Sequence, residues 1–316
     1  MEKVLITGIS GGQGRLLARR LLDSFEVCGV DRVAWEGRPK NVAVHQVDLR
    51  KRKFEDVFRT EQPTAVVHMG MVRHFRVSEQ VRHDVNVRGT KQLLDHCVHY
   101  GVQKLVMISS SYVYGAAADN PFYMDEDFPL GATRSYPEMR DLVEVDTLAS
   151  AFIWKYPHIR TAVLRPVNVL GYYVHSMIGE YLRQQRVPTV MGFDPMMQFI
   201  HEEDVSEAIA LALEHGLQGV FNVVGPGAVP ISVAIRETGG TALSLPEPIL
   251  RPMVDRAFRW GFLPFPHTDF IYAIVAEERG LVAARCRAHD VGHRLEWQLP
   301  PDGAVVAQGA IAGVPA

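Results

Sequence analysis

The beginning of the chain constrains its fold most strongly, because an apolar run there stops at a glycine-rich turn. "KVLITG" (3–8) is short, apolar and β-branched, and it predicts a buried strand. The leucine-rich segment 13–25 follows closely and predicts an amphipathic helix. Between them, Gly8 permits a tight turn, Gly11 lets another molecule approach the backbone, and Gly14 lets the helix pack near the strand. The segment therefore predicts a strand, a turn shaped to receive a ligand, and a helix.

This turn is typical of a phosphate-binding loop. The unpaired N–H groups at the start of a helix attract an anion, and Ser10, Gly12 and Gln13 complete the loop that we expect to bind the pyrophosphate of a dinucleotide. Asp31 ends the second predicted strand about twenty residues further on, which is the spacing of a dinucleotide-binding unit. A glycine-rich turn without a ligand is the plain structural alternative.

Asp31 favours NAD as the cofactor. Its carboxylate can accept the ribose hydroxyls of NAD and would repel the 2′-phosphate of NADP. NADP stays open as the alternative, because Arg32 beside Asp31 could pair with that phosphate. Asp48, after the third predicted strand, is placed to meet the adenine amino group, or else it is an ordinary turn residue at a strand end.

Short apolar runs alternate with helical patterns along most of the chain. After the first strand they lie at 27–31, 42–49, 65–70, 104–110, 160–166 and 219–225. Runs of this length, separated by helices, favour a parallel sheet that is covered on both faces. The predicted fold class is therefore α/β, a Rossmann-type doubly wound parallel sheet with a smaller C-terminal substrate-binding region.

The alternation also sets the expected domains. Residues 1–172, joined by the strand 219–225, form the predicted dinucleotide-binding Rossmann domain, and residues 173–300 are mainly a substrate-side region. The alternation stops beyond about residue 226, where Pro, aromatic residues and Arg are mixed. This part is a lid or substrate subdomain, or else a packing appendage. Residues 301–316 are expected to form a flexible tail.

Composition narrows the function. The 316 residues are 47% hydrophobic and 22% charged, as in ordinary globular enzymes, and the net charge of −3 gives no basic surface for nucleic acid. The three cysteines suit a reducing cytoplasm, and neither they nor the histidines are spaced as metal ligands, so no metal site is predicted. The sequence has no apolar run of membrane-spanning length, and strand-like sequence from Lys3 argues against a signal peptide. We expect a cytoplasmic protein that binds a small molecule.

Five ordered motifs follow the glycine turn: "DVNVRGTKQLLDHC" (84–97), "MISSSYVYG" (107–115), "YPEMR" (136–140), "LRPVNVLG" (164–171) and "FIHEEDV" (199–205). Together they resemble the extended short-chain dehydrogenase/reductase superfamily, in its NAD-dependent epimerase/dehydratase family. The resemblance implies an NAD-binding Rossmann domain, a smaller substrate region, and a homodimer through the long helices near 79–100 and 136–155. It also implies an enzyme that transfers a hydride at a carbinol or carbonyl carbon.

The resemblance assigns catalysis to Tyr136 and Arg140. Tyr136 would be the general acid/base at the substrate oxygen, and the cation four residues on would favour its tyrosinate form. The family has Lys at this position; Arg140 keeps the charge, but a planar guanidinium is longer and bulkier than an ammonium. Alternatively, Arg140 is a surface residue that pairs with Glu144 one helical turn away. Tyr136 and Arg140 also belong to the expected cofactor site.

Other site residues follow from the same resemblance. Ser110 would hydrogen-bond the substrate oxygen, and Ser109 or Ser111 would take this role if the register differs. Asn86 would support the site from the helix behind it, or else cap that helix. Arg165 would orient the surroundings of the cofactor. The expected cofactor contacts are completed by four further residues: Leu49, Met69, Gly70 and Pro166.

Three departures from the family and one match narrow the substrate, and these four residues are our candidates for the substrate side. Ser111 and Tyr112 replace the Asp-Glu pair of sugar-nucleotide 4,6-dehydratases, and neither is a ready acid/base at neutral pH, so that mechanism is not expected. Met197 stands where epimerases carry an Arg that clamps the nucleotide diphosphate, and a thioether cannot neutralise that charge. Asn168 does match a family Asn that contacts the diphosphate, so a sugar nucleotide stays open; alternatively, it caps a turn.

The substrate-side segments 171–182, 191–199 and 258–272 are rich in apolar and aromatic residues. They favour a hydrophobic substrate, such as a ketone or alcohol on a lipid-like or polyketide-like body; core packing, a dimer interface or a membrane surface would use the same residues. The predicted function is an NAD(P)-dependent oxidoreductase or epimerase whose substrate is not a typical sugar nucleotide. Two alternatives stay open: an NAD(P)-binding sensor or scaffold protein with little or no turnover, and a nucleotide-sugar epimerase.

Overall fold

The structure is a computed structural model that describes residues 1–73, 77–115, 120–121, 123–135, 137–260 and 281–282. Its strands are β1 Lys3–Thr7, β2 Glu26–Asp31, β3 Ala43–Gln46, β4 Ala65–His68, β5 Lys104–Ile108, β6 Tyr123–Met124, β7 Arg160–Pro166, β8 Asn168–Leu170, β9 Arg186–Val190, β10 Met196–Met197, β11 Phe199–His201, β12 Gly219–Val223, β13 Val229–Pro230, β14 Thr241–Leu245 and β15 Leu281–Val282. Its helices are α1 Gly12–Leu21, α2 Lys53–Glu61, α3 Glu79–His83, α4 Gly89–His99, α5 Ala132–Ser135, α6 Arg140–Lys155, α7 Met177–Leu182, α8 Glu202–Glu214, α9 Ile231–Glu237 and α10 Glu247–Arg259.

Seven strands form one sheet in the order β3-β2-β1-β4-β5-β7-β12. The pairs from β3 to β7 are parallel, and Thr7 of β1 lies opposite His68 of β4. The chain order reverses at β1, because β2 lies on one side of it and β4 on the other. This is the switch point of a doubly wound sheet, where ligands bind at the carboxyl ends of the strands. The predicted fold class, a Rossmann-type α/β sheet, is confirmed.

The chain divides into two compact units, and the first comprises residues 1–113, 132–165 and 206–221. Its core is built on the central strands, where Leu5, Val66 and Leu105 are fully buried on neighbouring strands. Phe54 and Phe58 of α2 belong to the same cluster, with their rings 5.3 Å apart in a T-shaped contact. The continuous apolar runs of these strands follow from burial on both faces of the sheet, which contributes about 1.5–3 kcal/mol for each buried side chain of this size.

The second unit comprises residues 114–131, 166–205 and 222–316. Among its described residues, Tyr181, Met197, Leu250 and Val254 form a buried hydrophobic cluster, and β9 pairs in parallel with β14. The change between units lies at 165/166, compared with the predicted boundary of 172/173, and residues 114–131 are an additional part of the second unit. The predicted tail 301–316 and most of the aromatic segment 258–272 lie outside the described residues.

The two long helices differ in detail from the prediction. The segment 79–100 is interrupted by a π-helical turn at Asp84–Arg88, and α6 is preceded by a 3-10 turn at Pro137–Met139. Proline has no N–H to donate and is favoured in the first turn of a helix, which explains the position of Pro137. Within the described ranges, no helix has both the length and the hydropathy that a bilayer crossing requires.

Candidate active site

The glycine turn after β1 leaves no space for side chains. Gly8 has a φ of +75°, and a Cβ there would lie 2.9 Å from the Cα of Gly70 at the end of β4. A Cβ on Gly14 would lie 2.4 Å from the carbonyl oxygen of Gly8, so any side chain would push α1 away from the turn. A Cβ on Gly11 would approach only the Gly8 oxygen, at 3.3 Å. The turn thus needs Gly8 and Gly14 for its own packing, whereas the space beside Gly11 is more open.

The start of α1 is free of side-chain capping. Its N-cap residue is Gly11, which has no side-chain oxygen for the first N–H groups of the helix, and Gly12 opens the helix. An external anion can therefore take these N–H groups. Arg15 fixes the turn from the helix by donating from Nε to the Ser10 oxygen at 2.7 Å. Gln13 donates from Nε2 to the Ser206 hydroxyl at 2.8 Å, so its predicted contact with a dinucleotide stays a prediction.

The carboxylate of Asp31 connects the end of β2 with the glycine turn. One oxygen accepts the N–H of Ser10 at 3.0 Å, and the other accepts the N–H of Val33 at 3.1 Å. A carboxylate has about four acceptor positions, so each oxygen keeps capacity for a ribose hydroxyl. Arg32 is exposed, and its carbonyl oxygen accepts a bond from Gln46. The carboxylate, and not the guanidinium, is the group that is fixed beside the turn.

Asp48 has a local partner that the sequence did not reveal to us. Arg50 donates to both of its carboxylate oxygens, from Nε at 2.9 Å and from Nη2 at 2.7 Å. These hydrogen bonds lower the pKa of Asp48 to about 2. Asp48 is thus already paired with Arg50, and its contact with the adenine amino group stays a prediction. Two further predicted cofactor contacts, Leu49 and Pro166, are buried, the latter as the last residue of β7.

A chain of hydrogen bonds runs behind the turn from β1 through β4 to α4. The Thr7 hydroxyl oxygen accepts the N–H groups of Met69 at 3.2 Å and Gly70 at 3.1 Å. Its own hydrogen is then available for Nδ1 of His68, at 2.7 Å. Nε2 of His68 lies 2.9 Å from the Thr90 hydroxyl. The Thr7 hydroxyl therefore fixes Met69 and Gly70, both predicted cofactor contacts, and His68 orients that hydroxyl. Because the Thr90 hydroxyl donates to the Asn86 oxygen, this pattern of bonds places the imidazole proton of His68 on Nε2.

Arg73 places a positive charge at the carboxyl end of β5. Its Nη2 donates to the carbonyl oxygens of Ile108 at 3.0 Å and Ser109 at 3.2 Å, directly before Ser110. Burial, with a smaller contribution from the charge of Arg73, lowers the pKa of His68 to about 4. The histidine is therefore neutral at physiological pH. Sequence reasoning missed Arg73, because its position after a strand is shared by many ordinary loop residues.

Asn86 joins the loop after β4 to the start of α6. It lies in the π-helical turn, a feature often found at functional sites, and its amide oxygen accepts the N–H of Val72 at 2.7 Å. Its amide nitrogen donates to the Val72 oxygen at 2.9 Å and to the buried Asp141 carboxylate at 2.5 Å. Arg82 binds that carboxylate at 3.3 Å and the carbonyl oxygen of Glu138 at 2.6 Å. Asn86 therefore connects these two segments, and its support of a catalytic site stays a prediction.

The three serines after β5 differ in their hydrogen bonds. Ser109 donates to the fully buried carboxylate of Asp146 at 2.5 Å, and that carboxylate also binds Arg165 through Nε at 2.9 Å and Nη2 at 2.6 Å. The hydroxyl of Ser109 is therefore committed to the interior. The Ser110 hydroxyl oxygen accepts the N–H of Tyr112 at 3.3 Å, a bond that does not use its hydrogen. This favours Ser110 over Ser109 as a donor to a substrate oxygen.

The predicted acid/base, Tyr136, lies outside the described residues, so its pairing with Arg140 stays a prediction. Arg140 is the first residue of α6, and its side chain is exposed. The exposed Thr147 lies on the same stripe, seven positions along the helix. Asp141 and Val145 lie on the buried face. Arg140 is thus on the outward side of α6 relative to the core.

The open alternative for Arg140 was a surface ion pair with Glu144. The Glu144 carboxylate binds Lys91 at 3.1 Å and His83 at 3.2 Å, both on the neighbouring helical segment. Desolvation by burial has the largest single influence on the pKa of Glu144 and raises it. The hydrogen bonds from Lys91 and His83 and their charges together outweigh it, so the pKa is lowered overall. Glu144 therefore joins α6 to α3 and α4.

The predicted substrate residues lie in different surroundings. Ser111 is buried and opens a 3-10 turn with the half-buried Tyr112. Asn168 is buried at the start of β8 and donates to the carbonyl oxygen of Gln198 at 3.1 Å. Met197 is fully buried in the hydrophobic cluster of the second unit. A thioether packs well in such a core, and the contact of Met197 with a substrate stays a prediction.

These features define a class of protein. A glycine turn at the switch point of a doubly wound sheet, with an acidic residue fixed at the end of β2, defines a Rossmann-type dinucleotide-binding protein. Residues 4–224 match the model of the NAD dependent epimerase/dehydratase family, and the chain belongs to that family. The protein is therefore an enzyme of the extended short-chain dehydrogenase/reductase type, and its cofactor is NAD. Two features of the site fit this cofactor. The glycine turn has no side chains at Gly8 and Gly14, and the Asp31 carboxylate keeps acceptor positions for a ribose.

Known proteins of similar sequence include epimerases. UDP-glucose 4-epimerase of Bacillus subtilis (strain 168) is 30% identical over 268 residues, which cover 71% of this chain and 75% of that protein. An uncharacterised protein of Mycobacterium tuberculosis (strain ATCC 25618 / H37Rv) is 28% identical over 256 residues, covering 77% of this chain and 67% of that protein.

Solved structures agree with the fold. UDP-glucose 4-epimerase of Thermus thermophilus, in complex with NAD, has a TM-score of 0.66 at 24% identity and covers 88% of this chain and 99% of its own. MoeE5, in complex with UDP-glucuronic acid and NAD, has a TM-score of 0.71 at 20% identity and covers 98% of this chain and 94% of its own. At these identities the likeness is one of fold.

Proposed function

We propose that this protein is an NAD-dependent epimerase or reductase that transfers a hydride at a carbinol or carbonyl carbon. The observation that carries the proposal is the fixed position of Asp31 beside a side-chain-free glycine turn at the switch point of the sheet. Bound NAD supplies the hydride acceptor, and NADH the hydride donor. The turn receives the pyrophosphate at the start of α1, and Asp31 accepts the ribose hydroxyls.

The protein's own residues handle the proton and the substrate oxygen. Tyr136, which lies outside the described residues, takes the hydroxyl proton when a carbinol is oxidised and returns it when a carbonyl is reduced. Ser110 donates its hydroxyl hydrogen to the same oxygen. A cation nearby favours the tyrosinate form of the acid/base. Arg140 is the candidate from the sequence, and Arg73 at the end of β5 is the candidate that the hydrogen bonds to Ile108 and Ser109 support.

The proposed substrate is not a typical sugar nucleotide, because the position of the expected arginine clamp is taken by Met197 in the core. A nucleotide-sugar epimerase is the second candidate. It is favoured by the relative from Bacillus subtilis, whose name is UDP-glucose 4-epimerase, and by Asn168, whose position matches the family residue that meets the diphosphate.

We also propose a homodimer through α3, α4 and α6. Trp154, near the end of α6, is 86% exposed, and a large aromatic side chain on an outward helical face is typical of an interface. Light scattering after gel filtration should give a dimer mass for the wild-type protein and a monomer mass for Trp154→Glu. A monomeric wild-type protein would contradict the proposed dimer.

Turnover tests the proposed chemistry. NADH absorbance and product chromatography would be followed with UDP-glucose, UDP-glucuronic acid and a panel of non-nucleotide alcohols and ketones. Tyr136→Phe should abolish turnover of the accepted substrate while the Kd for NAD stays within about twofold, because only a proton-transfer group is lost. Tyr156→Phe is the matched control, since Tyr156 packs on Phe152 at the far end of α6. Unchanged turnover in Tyr136→Phe would reject this acid/base and favour the sensor or scaffold alternative.

The same assay separates the two candidate cations. If Arg73 supports the acid/base, Arg73→Ala should lower turnover at least tenfold, because its guanidinium is bonded to the backbone directly before Ser110. Arg140→Ala should then have a smaller effect. The reverse order would restore Arg140 to the role that the sequence suggested. Arg140→Lys refines the result. A fall in turnover would indicate that the site has adapted to arginine, and a large rise would indicate a catalytic site that has lost activity through the change from Lys to Arg.

A further inference from the structure

The first residue of α8, Glu202, is a carboxylate that is only 2% exposed. It lies in the second unit and faces the loop that follows β8. One oxygen accepts the N–H groups of Tyr172 at 2.9 Å and Tyr173 at 3.2 Å. The other accepts those of Tyr173 at 3.0 Å and Val174 at 2.7 Å. Three consecutive backbone N–H groups therefore converge on one buried carboxylate.

Strand pairing brings these groups together. β8 and β11 are parallel, with Leu170 opposite His201, so the next residues, Gly171 and Glu202, also meet. A Cβ on Gly171 would lie 2.0 Å from the carboxyl carbon of Glu202, which leaves glycine as the residue that fits. Arg183 adds a bond from Nη2 to the Gly171 oxygen at 2.7 Å. The loop is thus built closely around the carboxylate.

Consecutive N–H groups that point to one centre form a nest, which binds anions. Hydrogen bonds to an ionised acceptor are shorter and stronger than neutral ones. Here the backbone of the loop turns inward to Glu202, while the side chains of Tyr172 and Tyr173 are 82% and 47% exposed. The loop therefore presents phenol rings, and not amide donors, to any molecule that it meets.

We infer that Glu202 is a positioning and specificity-determining residue: it is the internal anion of the nest at 172–174, fixes the loop after Asn168, and denies that nest to a phosphate group of the substrate. The consequence for the substrate rests on the proposed function. A substrate phosphate, if there is one, must then be bound elsewhere. This agrees with the proposal that the substrate is not a typical sugar nucleotide.

Anion rescue tests the nest without a substrate. We would measure Tm for the wild-type protein, Glu202→Ala, Glu202→Gln and the exposed neighbour control Glu203→Ala, in sodium chloride or sodium formate of equal ionic strength. Glu202→Ala should lose about 5 °C or more, and formate should return about 2 °C or more of that loss by filling the nest. The wild-type protein and Glu203→Ala should not respond to formate. Glu202→Gln should lose Tm without rescue, because its amide still fills the space.

Inorganic phosphate then tests specificity. It should raise the Tm of Glu202→Ala relative to chloride but leave that of the wild-type protein unchanged, and the Kd for NAD should be the same in both. An equal response of all variants to formate and phosphate would overturn the inference. If Glu202→Ala does not fold, hydrogen exchange in the wild-type protein decides: slow exchange at 172–174 that becomes fast in Glu202→Gln supports the nest, and fast exchange in both overturns it. Failure to bind NAD in every variant would instead reject the proposed function.

Discussion

Asp31 accepts a hydrogen bond from the backbone N–H of Ser10 at 3.0 Å, so the end of β2 and the glycine turn form one connected unit. The same carboxylate has two tasks. It holds the turn in the conformation that opens α1 to an anion, and it presents its remaining lone pairs where a ribose is expected. Affinity and cofactor choice should therefore change together when this residue is altered.

Asp31→Asn should weaken NAD binding about tenfold or more, since the loss of a charge-assisted acceptor corresponds to about 1.4 kcal/mol or more. NADP should bind relatively better, because the repulsion of its 2′-phosphate is gone. Calorimetric titration with both cofactors measures this. Arg32→Ala is the control: its side chain is exposed, and NAD affinity should hardly change. Tighter binding of NADP than of NAD by the wild-type protein would contradict the role of Asp31.

Two glycines of the turn should respond differently to the same added methyl group. Gly14→Ala forces a Cβ to within 2.4 Å of the Gly8 oxygen, and overpacking of this kind should cost about 1–3 kcal/mol of unfolding free energy. Gly11→Ala meets only one atom, at 3.3 Å, and its φ of −70° suits alanine, so stability should change by less than about 1 kcal/mol. NAD affinity should nevertheless fall, because the methyl group occupies the ligand side of the turn. Urea unfolding and NAD titration separate the two effects; equal loss of stability in both variants would refute the distinction.

The buried pair of Asp146 and Arg165 should contribute far more to stability than an exposed pair. Asp146→Asn leaves a buried guanidinium without its charge partner, which should cost about 3–5 kcal/mol. The matched control is Asp84→Asn, which breaks the exposed pair with Arg88 and should cost about 0.5 kcal/mol or less. Denaturant unfolding measures both. A loss below about 1 kcal/mol in Asp146→Asn would show that Arg165 finds another acceptor.

His68 should make stability depend on pH. Burial lowers its folded-state pKa to about 4, below the usual 6.5, so between these values the unfolded chain binds more protons than the folded one. Stability should be fully present above about pH 6.5 and fall as the pH drops towards 4, by about 3 kcal/mol in total. His68→Gln keeps an acceptor for Thr7 and a donor for Thr90 without titrating in this window. The slope of unfolding free energy against pH should therefore become shallower in that variant.

The control for this prediction is His215→Gln, at an exposed position beyond α8. Its pH profile should match that of the wild-type protein. If His68→Gln keeps the full wild-type slope between pH 4 and 6.5, the buried histidine is not the source of the dependence.

The fold and the cofactor turn could be predicted because their signals are local. The glycine spacing, the short apolar runs and the acidic end of β2 lie within single strand-and-helix units, and a doubly wound sheet follows from their alternation. Boundaries were less accurate. The third strand ends at Gln46 and not at residue 49, because Asp48 already turns to meet Arg50.

The residues that were missed take their roles from distant partners. Asp146 lies on one stripe of α6 with the apolar residues Ala149 and Ile153, which indicates that a buried partner of opposite charge is required. That this partner is Arg165 could be seen only in the folded chain. His68 and Glu202 act through backbone and hydroxyl groups, which every sequence contains. The full burial of Met197 could not be predicted either, because an alignment position does not reveal which way a side chain points.

The central claim is that the glycine turn and Asp31 bind NAD for catalysis. The most direct measurement is to purify the protein, denature it, and identify any released dinucleotide by mass spectrometry with its stoichiometry, followed by titration of the emptied protein with NAD, NADH, NADP and NADPH. We expect either near-stoichiometric NAD or NADH, which favours an epimerase-like cycle with retained cofactor, or an empty protein that binds added NAD more tightly than NADP. A protein that releases no dinucleotide and binds none of the four would contradict the account.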